Sequence, residues 1–163
     1  MAVPEWNVPR DLARWAGART RGTGTVIRPE TVLLGMDYTI QQRVDGEFDD
    51  VVERTGEALG DEGFGVLCDI DVRGTFAEKL DVEFRRYRIL GACNPELAHE
   101  GLEEEPLLGA LLPCNVVVYE EDDGEVVVAA VDPEVLVDVA DNPDLDDIAS
   151  EVLLRFERVL DAV

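Results

Sequence analysis

Asn115-Val116-Val117-Val118-Tyr119-Glu120, the turn Glu121-Asp122-Asp123-Gly124, and Glu125-Val126-Val127-Val128-Ala129-Ala130-Val131 together read as a β-hairpin. Short β-branched runs suit a pleated sheet better than a helix. The Asp-Gly pair supplies the positive φ that a tight hairpin turn needs. The two strands must therefore be antiparallel neighbours, and the rest of the chain can be placed around them.

Upstream, Pro106 and Pro113 bracket a compact apolar connector. Pro95 suits the first turn of a helix running to about Glu104, with Asn94 as its cap. Before it, Phe84–Cys93 reads as a strand, Thr75–Leu80 as a short helical piece, and Gly65–Val72 as a strand carrying Cys68. A helix spans about Glu47 to Leu59, because Phe48, Val51, Val52, Thr55 and Leu59 fall on one face. Gly60 and Gly63 mark its end. The first strand holds Tyr38, Ile40 and Val44, alternating with polar residues. Downstream, Asp132-Pro133 ends the hairpin. A last helix runs from about Pro143 to Val163, with Asn142 as cap and a stripe of Ile148, Val152, Leu153, Phe156, Val159 and Leu160. The order is strand, helix, four strands, long helix. It implies an α+β fold: an antiparallel sheet with helices on one face.

The 163 residues suit one domain with a real core. Their charge is unusual: 37 acidic residues against 14 basic, a net of −23, with Lys79 the only lysine. Acids are spread along the chain rather than gathered in a tail. At molar salt the Debye length falls to about 3 Å and like-charge repulsion largely disappears. The composition therefore points to a salt-adapted protein. An acidic partner-binding surface is the competing explanation. Nucleic acid is not expected as a partner, because this charge opposes phosphate binding. Neither a signal-peptide pattern nor an apolar run long enough for a bilayer is visible, so the expectation is a cytoplasmic protein with reduced cysteines. Residues 1–35 differ: Arg10, Arg14, Arg19, Arg21 and Arg28 outweigh Glu5, Asp11 and Glu30, giving +2 and leaving −25 for the remainder. They also hold Trp6 and Trp15. They read as an N-terminal extension, either packing on the main domain or a neighbouring subunit with a short helix over Arg10–Ala18 or forming a partly disordered tail, preceding a single domain over residues 36–163.

Chemistry concentrates in two segments, Gly91-Ala92-Cys93-Asn94-Pro95 and Leu111-Leu112-Pro113-Cys114-Asn115. If their strands are antiparallel neighbours, Cys93 and Cys114 lie at the same end of the sheet. The helix starting at Asn94 would aim its N–H groups at that corner and favour a thiolate or an anion. His99, the only histidine, could serve as base or ligand. The opposing reading is that free cysteines bordering apolar strands are small core residues, Cys68 above all. Lacking CxxC spacing and a second histidine, the chain is expected to hold neither a zinc site nor a cofactor. Ser150, the only serine, has no triad partner pattern. Arg85, Arg86 and Arg88 could hold an anion or pair with nearby carboxylates. The runs Glu103–Glu105 and Glu120–Asp123 read as solvated surface.

Three stretches carry a family resemblance: Gly63-Phe64-Gly65-Val66-Leu67, then Ile89–Pro95 with Leu97-Ala98-His99, then Leu111–Val118. They resemble the domain of unknown function 302 family over about residues 36–163. The resemblance implies an α+β domain in a TATA-box-binding-protein-like arrangement, β-α-β(4)-α, and homodimers. It supplies no reaction and no roles for Cys93, Asn94, His99, Cys114 and Asn115, and a shared fold does not transfer DNA binding. The functional expectation is a small binding or interaction module, homodimeric, with a small-molecule pocket near the Cys-Asn corner. Two alternatives remain. One is a thiol-dependent enzyme or redox sensor using Cys93 with Cys114 and His99. The other is a structural dimer whose cysteines only fill the core.

Overall fold

The hairpin closes on Gly124, whose φ of 88° lets its N–H reach the Glu121 carbonyl at 3.0 Å. The computed structural model describes residues 38–163. The reading of residues 1–35, including the helix over Arg10–Ala18, lies outside the described residues. The order is β1 (Thr39–Val44), α1 (Phe48–Asp61), β2 (Gly65–Asp71), α2 (Val72–Leu80), β3 (Tyr87–Cys93), α3 (Pro95–Glu104), β4 (Cys114–Glu120), β5 (Val126–Val131), α4 (Pro133–Asp138) and α5 (Asp146–Ala162). Short 3-10 turns occupy Pro106–Ala110 and Pro143–Leu145. All strands pair antiparallel in the order β1-β5-β4-β3-β2. The fold is thus α+β, with the expected β-α-β(4)-α frame and extra short helices.

Alternation along the strands builds the core. Val116 and Val118 of β4, Val126, Val128 and Ala130 of β5, and Leu90 and Ala92 of β3 point to one face. There they meet Val51 and Leu59 of α1 and Val152, Phe156 and Val159 of α5. Phe64 stacks on Phe156 at 4.8 Å between centroids. A smaller apolar cluster, Leu108, Val137, Leu145 and Ala149, joins the connector to α4 and α5. On the opposite face Tyr87 stacks on Tyr119 across β3 and β4, 5.7 Å apart.

Three local readings are corrected. Asp132-Pro133 ends β5 but also starts α4: the Asp132 carboxylate accepts from Glu134 N at 2.9 Å, and Pro133 takes the first helical position. The last helix begins at Asp146, because Asn142 caps a 3-10 turn instead, accepting from Asp144 N at 3.1 Å. Cys68 is not a core residue. It is exposed on β2, an edge strand beside a bulge between Val66 and Cys68, and every residue of that strand is exposed.

Candidate functional site

Two ends of chain meet at the Cys-Asn corner. β3 runs antiparallel to β4 with Ala92 opposite Cys114, so Cys93 lies one residue beyond that pair. The connector enters through a cis Leu112–Pro113 bond. It passes over Gly91, where an added Cβ would lie 2.8 Å from Pro113 Cγ and 2.6 Å from Cys68 Sγ. Only a glycine lets the strand pass that close.

Asn94 is the organiser. It is 7% exposed. Its Oδ1 accepts from Glu96 N and Leu97 N, both at 3.1 Å, which caps α3. Its Nδ2 donates to the Gly63 carbonyl at 3.1 Å. Gly63 sits at φ 82° just past α1, where Phe64 N bonds back to the Leu59 carbonyl at 2.8 Å, a Schellman-type ending. Arg155 of α5 donates to the neighbouring Glu62 carbonyl at 3.1 Å. One side chain therefore ties the end of α1 to the start of α3, beside α5. It also uses the two α3 N–H groups that an anion could have claimed.

Behind Asn94 lies an apolar cavity of about 50 Å³, lined by Cys93, Cys114, Ala92, Leu97, Ala98, Leu112, Leu136, Val137 and Ile148 among others. Both thiols are half-buried. Burial pushes Cys114 up to about 11, with the nearby Cys93 adding to the effect. Burial also raises Cys93. Its Sγ donates to the Asn94 carbonyl at 3.8 Å. Desolvation thus raises both groups, and they stay protonated thiols at neutral pH.

The structure brings Cys93, Asn94 and Cys114 together and leaves two expected partners out. His99 is exposed on α3 and does not line the cavity. Asn115 is exposed and pairs with Gly91 on the sheet. The arginines are engaged: Arg85 with Asp122 at 3.1 Å, Arg86 with Asp49 while lying over the Phe48 ring at 4.6 Å, and Arg88 with Asp69. The carboxylates of Glu121, Asp123 and Glu125 cluster at the hairpin, but Arg43 already pairs with Glu121 and Glu125. The apolar lining from α4 is not legible in the sequence, because Asp132-Pro133 marks the end of a strand and six residues are too few to show a helical period.

The family model for the domain of unknown function DUF302 matches residues 40–163. The chain belongs to the DUF302 family. A crystal structure titled as an uncharacterized conserved DUF302 protein from Bacillus stearothermophilus is similar to it. That protein is 34% identical, and the match covers 77% of this chain and 98% of that chain with a TM-score of 0.73. A search of curated proteins found no match. Both cysteine segments fall inside the DUF302 match. Among the described residues, no helix is long and apolar enough to cross a membrane.

Proposed function

We propose that this DUF302 protein is a non-catalytic binding and interaction module, homodimeric, working in a salt-rich cytoplasm, with the cavity at the Cys-Asn corner as its ligand site. The observation that carries this reading is the chemistry of the corner. Its walls are apolar, its helix donors are taken by Asn94, and its thiols are held protonated. Such a site holds a ligand better than it attacks one. A nucleophilic or redox cysteine needs the opposite, a depressed pKa beside a cation or an open helix terminus.

Thiol modification kinetics test it. At neutral pH the exposed Cys68 should react first, Cys93 slowly, and Cys114 only as pH approaches about 11 or the protein unfolds. A fast Cys93 at neutral pH, lost in Cys93→Ser, would overturn the binding reading in favour of a reactive thiol.

Support for the dimer lies around β2. This edge strand exposes Leu67 (67%) and Ile70 (44%), and the chain after it exposes Leu80, Val82 and Phe84. An apolar edge of this kind is a template for strand or face pairing. A second copy is its fitting occupant, since two acid-rich chains meet with least repulsion where apolar side chains replace carboxylates. Sedimentation in molar salt should give twice the chain mass for the wild type and the chain mass for Leu67→Glu. A monomeric wild type rules the dimer out.

A further inference from the structure

We propose that the ligand of the Cys-Asn corner is a soft monovalent metal ion of the cuprous type, held in two-coordinate fashion between Cys93 and Cys114. This rests on the reading of the corner as a binding site rather than a reactive one. Three features select the ion. The first is donor type: the cavity lining offers two sulfur ligands but no carboxylate and no imidazole, since His99 stays outside it. Thiolates prefer soft ions, whereas magnesium or calcium want oxygen and zinc wants four ligands. The second is placement. Cys93 adjoins the Ala92–Cys114 pair across β3 and β4, and both thiols border one cavity of about 50 Å³, room for an ion with little water. The apolar walls suit a weakly hydrated ion that needs no third or fourth ligand.

The third feature is charge. Binding replaces two S–H bonds with two metal–sulfur bonds: both protons leave to solvent, no electron moves, and the product carries one net negative charge. That charge forms beside the N-terminus of the ten-residue α3. Asn94 takes the Glu96 and Leu97 N–H groups there, so what acts on that charge is the remaining dipole of the helix and not a direct donor. Arg155 is not the counter-charge, because it pairs with Glu151 at 2.7 Å and donates to the Glu62 carbonyl at 3.1 Å.

The test uses the full chain under anaerobic conditions, in molar sodium sulfate so that halide does not compete, with cuprous ion delivered from a chromogenic chelator. Cys68→Ser should bind one ion per chain, with a thiolate-to-copper absorption band and release of both protons at neutral pH. Cys93→Ser and Cys114→Ser should each weaken binding roughly 100-fold or more, beyond what loss of an outer-shell partner causes. Circular dichroism checks that each variant is folded, and Cys93→Ala serves if Cys93→Ser is not. Binding that survives both substitutions, or that disappears with Cys68, overturns the proposal. So does failure of the Cys68→Ser protein to take copper from the chelator. If copper fails to bind while Cys93 and Cys114 remain slow thiols, only the metal is wrong and the binding reading stands. If Cys93 is fast at neutral pH, the binding reading itself falls.

Discussion

Diluted from molar potassium chloride into low-salt buffer, the protein loses its helical circular dichroism signal. Residues 36–163 carry −25, from the −23 of the whole chain less the +2 of residues 1–35. In a fold this size those charges sit within a few tens of ångströms of one another. Screening reaches about 3 Å at 1 M salt but about 30 Å at 0.01 M, so dilution couples carboxylates across the whole surface. The ion pairs offer little compensation. Arg85–Asp122, Arg86–Asp49, Arg43–Glu121 and Arg158–Glu62 all have at least one partly exposed member, and such pairs contribute about 0–1 kcal/mol each. A total stability of roughly 5–15 kcal/mol leaves small room for that repulsion. The signal should return on adding salt back. A spectrum that is the same in dilute buffer and in molar salt sinks the salt-adaptation proposal.

Replacing Asn94 with alanine destabilises the domain by about 2–4 kcal/mol, measured by chemical denaturation in molar salt. Two costs combine. Losing an Asn cap costs about 0.5–2 kcal/mol, since Glu96 N and Leu97 N lose their acceptor. Leaving the part-buried Gly63 carbonyl without its donor costs about 1–3 kcal/mol. Asn94→Asp separates the two. It keeps the acceptor for α3 but sets a carboxylate oxygen against the Gly63 carbonyl, so its loss should fall between zero and that of Asn94→Ala. Equal losses in the two variants would show that the cap contributes nothing. A loss under about 0.5 kcal/mol for Asn94→Ala would remove Asn94 from its organising role.

What the sequence revealed depended on whether the signal was local. The Asp123-Gly124 turn, the Asn94-Pro95 start of α3 and the 3.6-residue stripe of α5 are each written in a few adjacent residues, and the structure carries all three. Cys68 misled because Val66-Leu67-Cys68-Asp69-Ile70 reads as a buried strand, while burial depends on strand order, and β2 is at the edge. Strand order is a non-local property that the run itself does not record. The meeting of Cys93 with Cys114 followed from strand polarity and was legible. The exclusion of His99 was not, because the direction of a helical side chain depends on which face of α3 packs, and that face is defined by Leu97 and Gly101 against distant elements. The cavity lining from Leu136 and Val137 was hidden for the same reason, since α4 is too short to show a period.

Gly91 couples the outside of the sheet to the inside. Cys68 Sγ and Pro113 both press on the space where its side chain would be, and Pro113 is bonded to Cys114. An adduct on Cys68 extends from the exposed edge strand, while its Sγ stays packed against Gly91 beside the connector that carries the inner thiol. The outermost and innermost cysteines thus share one neighbour, the glycine whose missing side chain lets Cys68 Sγ and the residue before Cys114 approach the same strand.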